Sequence, residues 1–495
     1  MYFLGYDIGS SSVKASLVEA ESLRPVVTVH YPEVEMDIIS LEIGWAEQHP
    51  EIWWENLCQA THLLFKENNI DPKKVKGIGI SYQMHGLVLV DEALNVLRPS
   101  IIWCDSRAVE IGNDALAKLT AQKCLPHLLN SPGNFTASKL KWVMDNEPEV
   151  YERIKYIMLP GDFINMKLTG EVNTTISGLS EGIFWDFQEQ GIAQFLLDHY
   201  KISKDLIPSI VPTCSIQGRV HQQVAERIGV PAGTPVCYRA GDQPNNAMSL
   251  GVLKPNEVAA TGGTSGVIYG VADKLVYDNE SRINSFAHVN YTMDNPKVGV
   301  LLCINGAGIQ YAWLKKQMAP NGIGYEDMER MMSEIPVGAA GLRILPFGNG
   351  AERVLCNRNT GAQINNLHFN RHSNAHVYRA AIEGIAFSFV YGFQVMKELG
   401  MQPAVIRAGN DNLFQSQVFS TTIANLLNCP IEIVKTTGSI GAAKACSVAL
   451  GEVYEMDDAF RNNVVEKIYH PADDNEVYKQ AYHAWGDDLN RLITT

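Results

Sequence analysis

Two carboxylates and two turns of small residues hold most of the chemical promise of this sequence. Asp7 lies near the end of the apolar run FLGYDI, which is followed by Gly9, Ser10, Ser11 and Ser12. About half a chain later VAATGGTSGVIYGV repeats the pattern, with Gly262, Gly263, Thr264, Ser265 and Gly266 between apolar stretches. Turns of Gly, Ser and Thr let backbone N–H groups and hydroxyls approach phosphate oxygens closely, although the same residues also make ordinary turns. A carboxylate beside a phosphate cradle is costly unless a divalent cation lies between them, so Asp7 is a Mg2+ candidate as well as a cap for its own turn. Asp242 lies in CYRAGDQPNNA, where an apolar strand gives way to a helix start. A carboxylate presented there suits a general base, and it also suits a helix N-cap. His85 follows the apolar VKGIGISYQM and precedes Gly86, a setting in which a core histidine bonded to backbone is the ordinary outcome. Trp103, Asp105 and Arg107 in IIWCDSR read first as a strand end with a salt-bridged turn, and Trp45, Trp53 and Trp54 as packing.

Elements must position these groups. Val13, Ala15 and Leu17 alternate with Lys14 and Ser16, which predicts a strand returning from the first turn. The second turn has the same design, so two β-hairpins with hydroxyl-rich tips stand about half a chain apart and predict two related lobes. Between them, Pro50 to Asn68 reads as a helix with Trp53, Trp54, Leu57 and Leu63 on one face. VKGIGISYQ reads as a buried strand, and LVLVDEALNVLRP as a hairpin turning at Asp91 and Asn95. In the second half a long amphipathic helix spans His376 to Leu399, a strand lies around Ala404 to Arg407, and a helix runs from Leu413 to Leu427. Strands alternating with helices define an α/β protein. Gly251 and Pro255 interrupt the pattern and place the lobe boundary near 245–255, giving lobes 1–248 and 249–495.

Composition narrows the chemistry. At 495 residues, 46% hydrophobic and 19% charged, the chain has the balance of a globular protein with a large core. A net charge of -14 without a basic patch argues against nucleic acid as a partner. No apolar run has the length of a membrane span, and the first residues lack the features of a secretory signal, so the expected location is the cytoplasm. The nine cysteines are scattered singly and none stands at C-x-x-C spacing, which predicts reduced thiols instead of disulfides or a zinc site. The P-loop, dinucleotide, protein-kinase and nucleophile-elbow patterns are absent.

Taken together, YDIGSSSVKASL, GWAEQHPEIWW, SYQMHGLVLVD, RPSIIWCDSRA, NFTASKLKWVMDNEP, AGDQPNNA, ATGGTSG, RAGNDNLFQSQVF and TTGSIGAAKACSVALG resemble, in collinear order, the FGGY family of carbohydrate kinases, and within it the xylulokinases. The resemblance implies two RNase H-like lobes of the actin/hexokinase superfamily around a cleft. The sugar would lie mainly on the first lobe and ATP mainly on the second. It implies Asp242 as the base for a sugar hydroxyl, and Met84, His85, Trp103, Asp105 and Gln243 as sugar contacts. Ser11, Ser12, Gly263, Thr264, Gly409, Asn410 and Asn412 would meet ATP, with Asp7 holding Mg2+. The implied activity is ATP-dependent phosphorylation of a ketopentose, D-xylulose foremost. Another ketose, a glycerol-like polyol, a non-catalytic sugar sensor and an actin-like ATPase are the alternatives. The resemblance also allows a homodimer. Several positions depart from the family pattern: Gln243 where xylulokinases have Asn, Asn134 where Gly is usual, WCDSR for W-N-D-G-R, Arg407 and Ala408 before Gly409, and GAERVL at Gly350 to Leu355.

Overall fold

In the computed structural model, which describes residues 1–319, 322–410 and 412–494, two mixed sheets organise the chain. The first contains β1 (Tyr2–Ile8), β2 (Val13–Glu19), β3 (Pro25–Tyr31), β4 (Val75–Tyr82), β5 (Cys214–Arg219) and β6 (Pro235–Gly241), in the order β5-β6-β4-β1-β2-β3. The second contains β7 (Glu257–Gly262), β8 (Gly266–Ala272), β9 (Asn284–Ala287), β10 (Val298–Ile304), β11 (Val405–Gly409), β12 (Ile431–Val434) and β13 (Val465–Tyr469), in the order β9-β10-β8-β7-β11-β12-β13. Without the outermost strands β5, β9 and β13, each sheet is the same figure. An antiparallel meander (β1-β2-β3, β7-β8-β10) is continued by two parallel strands (β4 and β6, β11 and β12). The duplication read from the two hairpins is therefore a duplication of whole sheets.

The helices that matter for the site are α1 (Pro50–Asn68), α2 (Thr136–Asn146), α3 (Ile176–Glu181) and α4 (Asp242–Ser249) in the first half. The second half adds α5 (Gly308–Met318), α6 (Tyr325–Ser333), α7 (Asn374–Glu398), α8 (Gln417–Leu427) and α9 (Gly438–Ala449). Helix α1 buries Trp53, Trp54 and Leu57 against the first sheet, as its apolar stripe requires, with Leu64 buried there in place of the half-buried Leu63.

The other face of that sheet is covered by α9, from the far end of the chain. Its sequence, GSIGAAKACSVA, is nearly all small residues, and the sheet answers with glycines. A Cβ on Gly5 would lie 1.9 Å from the Ser439 carbonyl oxygen, and one on Gly79 would lie 2.0 Å from that of Ala442. Backbone meets backbone there, and only glycine permits it. Ser16, whose place in the alternation pointed it outward, is buried for the same reason: its hydroxyl bonds that of Ser439 at 2.7 Å. Helix α4 crosses α9 where a Cβ on Gly441 would lie 1.7 Å from Ser249 Oγ. The closing helices of the two sheets thus pack on each other and tie the halves together.

Two local expectations shift. The helix placed from Leu413 begins at Gln417, after a short 3-10 turn at Leu413–Gln415, because the Ser416 hydroxyl caps it by accepting the Phe419 N–H. The segment after Val90 turns at Asp91, whose Oδ1 accepts the N–H groups of Ala93 and Asn95. Its return makes only a single bridge, Val90 to Val96, and Val88–Val90 pairs instead with Tyr156–Met158. All nine cysteines are free thiols, and among the described residues no helix is long and apolar enough to cross a membrane.

Candidate active site

The carboxyl ends of the parallel strands β1, β4 and β6 converge on one place. Asp7 is the second-last residue of β1, and its Oδ1 accepts a 2.8 Å hydrogen bond from Ser81 on β4. Its Oδ2 has no partner among the described residues and faces the start of α9. A Cβ on Gly438 would lie 2.7 Å from that oxygen, so glycine leaves the carboxylate open. Asp242 follows β6 directly and opens α4, with Gly241 and not Asp242 at the N-cap position. The half-buried carboxyl of Asp242 is raised from its ordinary 3.8 to about 7, chiefly by burial and then by the negative charge of Asp7, while hydrogen bonds from Gln243 pull the other way. Two carboxylates this close make an uncompensated negative spot. An open Asp7 oxygen beside a glycine suits a hydrated divalent cation held mainly by a ligand's phosphates.

Met84 and His85 lie next to this spot. A Cβ on Gly241 would come within 2.6 Å of Met84 Cγ and 3.1 Å of Glu181 Oε2, so the residue before Asp242 is pressed between them. His85 adopts a left-handed backbone (φ 61°), a strained choice for a histidine, and several groups hold it there. Its N–H donates to Glu181 Oε2 at 3.3 Å, and its carbonyl accepts from the buried Lys139 ammonium on α2 at 2.9 Å. Its Nδ1 lies 2.9 Å from the Glu181 carbonyl oxygen. A carbonyl only accepts, so Nδ1 carries the hydrogen and Nε2 presents a lone pair. Burial, reinforced by Lys139, lowers the imidazole to about 3 and keeps it neutral. Lys139 is itself lowered to about 8 by burial and also holds the Ile102 carbonyl at 2.9 Å, joining the His85 turn to the segment that bears Trp103. Burial likewise lifts the Glu181 carboxyl well above its usual range, with the Tyr82 hydroxyl opposing the shift and Asp242 adding to it.

The WCDSR segment divides into lining and frame. Trp103 is 54% exposed and its indole N–H points to Ser10 Oγ at 3.4 Å, above the first hairpin. Asp105 is fully buried. Its Oδ2 accepts from the Ala46 N–H at 2.6 Å and Arg107 Nη2 at 2.7 Å, and its Oδ1 from the Arg107 backbone N–H at 2.9 Å and Nε at 3.0 Å. That leaves no oxygen for a ligand, so the sugar contact expected of Asp105 gives way to a clamp. Arg107 in turn lies over the Trp45 ring at 3.9 Å and the Trp142 ring at 4.7 Å. Asn134 donates to the Asp105 carbonyl, which gives that departure from the family pattern a structural role.

The second hairpin borders a cavity of about 620 Å3. Gly263 and Thr264 form one wall, Gly308 and Ile309 at the start of α5 a second, Tyr325 and Glu329 of α6 a third, and Asn412 closes it. The Gly308 and Ile309 N–H groups donate to the carbonyls of Gly263 and Thr264 at 3.0 Å each, locking the tip to the helix. Helix α4 reaches the same hairpin, for Asn246 Nδ2 donates to Thr261 Oγ1 at 3.3 Å. Gly263, Thr264 and Asn412 therefore share one cavity. The Gly409 carbonyl accepts from Asn412 Nδ2 at 3.5 Å, and Asn410 is turned to Glu466 at 2.8 Å. On the first hairpin Ser12 accepts the Gly9 N–H at 3.0 Å, and Ser11 is exposed at the tip. Sequence reasoning missed Glu181, Lys139, Gly308 and the α6 wall. Only Gly308, in the small-residue run NGAG, left a local signal.

Comparison with known proteins agrees with this geometry. The profile of the FGGY family of carbohydrate kinases, N-terminal domain, matches residues 2–249, and that of the C-terminal domain matches residues 258–450. A xylulose kinase of Bacillus subtilis strain 168 is 27% identical over 513 residues, spanning 100% of this chain and 97% of its own. One from Escherichia coli K12 is 25% identical over 447 residues, spanning 89% and 88%. Among solved structures, a xylulose kinase from Rhodospirillum rubrum superposes with a TM-score of 0.89 at 25% identity over 100% of both chains. A Plasmodium falciparum glycerol kinase with ADP gives 0.88 at 21% identity, covering 99% of this chain and 98% of its own, and shares the fold.

Proposed function

The chain belongs to the FGGY family of carbohydrate kinases and is a sugar phosphotransferase that uses ATP, and we propose that its substrate is a ketopentose, D-xylulose foremost, with Asp242 as the general base. The observation that supports the base assignment is the carboxyl raised to about 7 at the end of β6, beside Met84 and Asp7. A group with that pKa is substantially ionised near neutral pH and basic enough to take a hydroxyl proton in the transition state. The D-xylulose reading draws on the xylulose kinases that match nearly the full chain.

In this reading residues 1–248 form the sugar lobe and residues 249–495 the nucleotide lobe. Neutral His85 accepts a sugar hydroxyl at Nε2, Met84 and Trp103 pack on the carbon skeleton, and Gln243 orients Asp242. The second hairpin holds the ATP phosphates through the backbone at Gly263 and Thr264, with the nucleoside in the cavity closed by Asn412; Gly409 and Asn410 shape the loop behind it. Ser11 and Ser12 face the phosphates from the first hairpin. As the terminal sugar oxygen bonds to the γ-phosphorus, its proton passes to Asp242 and the bond to the β-phosphate oxygen breaks, releasing ADP. Asp7 would hold Mg2+, which supplies charge neutralisation between the phosphates and the two carboxylates.

The test is coupled ADP release with Mg-ATP against D-xylulose, D-ribulose, L-ribulose, L-xylulose, glycerol and gluconate, with Asp242→Asn beside the wild type. Preferred turnover of D-xylulose and loss of activity in the variant are expected. Preference for another sugar would discard the D-xylulose assignment, and an active Asp242→Asn would discard the base.

A further inference from the structure

Arg353 stands beside β9 with no counter-charge among the described residues. Its neighbour Glu352 is spent on backbone, accepting the N–H groups of Asn305 at 2.9 Å and Gly306 at 2.8 Å. Arg353 Nη1 donates to Asn284 Oδ1 at 2.7 Å, and among the described residues no carboxylate lies within ion-pair distance of the guanidinium. It is half-buried, and burial lowers its pKa. A half-buried guanidinium with one neutral acceptor and no carboxylate keeps open donors, and a ligand can supply their acceptor.

Its position names the ligand group. Asn284 and Phe286 alternate along β9 and so lie on one face, and the Phe286 ring is 5.4 Å from the His85 imidazole. Asn284 is itself fixed from the other lobe, donating to Asn130 Oδ1 at 3.0 Å. The charge of Arg353 is felt at His85 and at Cys303. Arg353 and His85 therefore meet the same Asn284–Phe286 face from opposite lobes, one purely a donor and the other an acceptor at its open nitrogen.

Resting on the ketose reading, we propose that Arg353 is the second lobe's contact to the sugar, donating to the keto oxygen of an α-hydroxyketone whose neighbouring hydroxyl donates to His85 Nε2. A keto oxygen accepts from the guanidinium fork without a hydrogen of its own to place. A hydroxyl there needs a further acceptor for its hydrogen, and arginine offers none. The pair thus favours a ketose over the matching polyol and makes closure of the lobes depend on the sugar.

The experiment measures initial rates with D-xylulose and with xylitol at saturating ATP, and with varied ATP, for wild type, Arg353→Gln and Arg353→Lys. In Arg353→Gln the KM for D-xylulose should rise about tenfold or more, the preference over xylitol should collapse, and the KM for ATP should stay within about twofold. Arg353→Lys should recover only part, since an ammonium lacks the fork. An unchanged KM for D-xylulose, or an equal rise for sugar and ATP, overturns the assignment while leaving the ketose kinase standing. A wild type that prefers xylitol or uses no ketose overturns the ketose reading and this inference together. Should Arg353→Gln fail to fold, Asn284→Ala removes the acceptor that aims the guanidinium. It should raise the KM for D-xylulose about threefold, and no change there overturns the proposal.

Discussion

At the first hairpin the last strand pair is Ile8 with Val13; at the second it is Gly262 with Gly266. Both tips turn between the two strands that start an identical sheet plan, and both point toward α4. Their electrostatics are opposite. One residue before the end of its strand, the first hairpin has Asp7, bonded by Ser81 and left with an open oxygen. At the matching place the second has Thr261, whose hydroxyl is taken by Asn246. Duplication built the frame, and the proposed chemistry comes from where the copies differ. One tip concentrates negative charge with Asp242, and the other offers neutral backbone beside a roomy cavity. A phosphate chain sits on the neutral tip directly and meets the charged one only across a cation.

The strongest way to break this comparison is to remove the charge at α4. Asp242→Asn should lower kcat by about a thousandfold, within the range for loss of a general base, while equilibrium binding of a fluorescent ATP analogue stays unchanged. Wild-type kcat/KM should fall as pH drops through about 7, because the base is protonated below its raised pKa. Equal loss of nucleotide affinity would mean that the two tips do not divide the work.

Asp7→Asn removes the charge from the hairpin itself. A loss of about a hundredfold in kcat, partly restored by higher Mg2+, is expected. The acid limb of the pH profile should also move to lower pH, since the charge of Asp7 helps to hold Asp242 up. A limb that does not move would separate the two carboxylates electrostatically.

On the neutral tip the matching change is steric. A Cβ on Gly308 would lie 2.2 Å from the Gly263 carbonyl oxygen and push the turn outward. Gly308→Ala should raise the KM for ATP about tenfold, with the sugar KM and the pH profile unchanged. Steady-state kinetics with each substrate varied separates these effects.

The two tips were legible in sequence because their chemistry is local: Gly, Ser and Thr within five positions, each after an apolar strand. Asp242 was legible for the same reason. What surrounds them was not. His85 is held by Glu181, 96 positions away, and by Lys139, 54 positions away, and nothing in either segment advertises the contact. The local pattern of Asp105 and Arg107 read correctly as a salt-bridged turn, and it was the family resemblance that placed Asp105 at the sugar. Ser16 went astray through α9, whose fit depends on glycines in strands more than 300 residues earlier. Periodicity reports which face is apolar, and it cannot report that a helix of small residues will cover the polar one.

The smallest effect tests the comparison in the resting protein. An acid raised from 3.8 to about 7 binds its proton more tightly folded than unfolded. The folded state is therefore favoured below the unfolded pKa, and that advantage drains away as pH climbs from about 4 to about 7. Above 7 the ionised Asp242 is a standing cost. A shift of this size bounds the cost at about 4 kcal/mol, and partial exposure to solvent cuts it to about 1–2 kcal/mol. Asp242→Asn should then melt a few degrees higher than wild type at pH 8 and level with it at pH 4, by calorimetry without ligands. Thr261→Val, on the neutral tip, should change melting by the same amount at both pH values. Parallel pH curves for Asp242→Asn and wild type would show that the first tip stores no charge strain, and the asymmetry between the hairpins would then lie in shape alone.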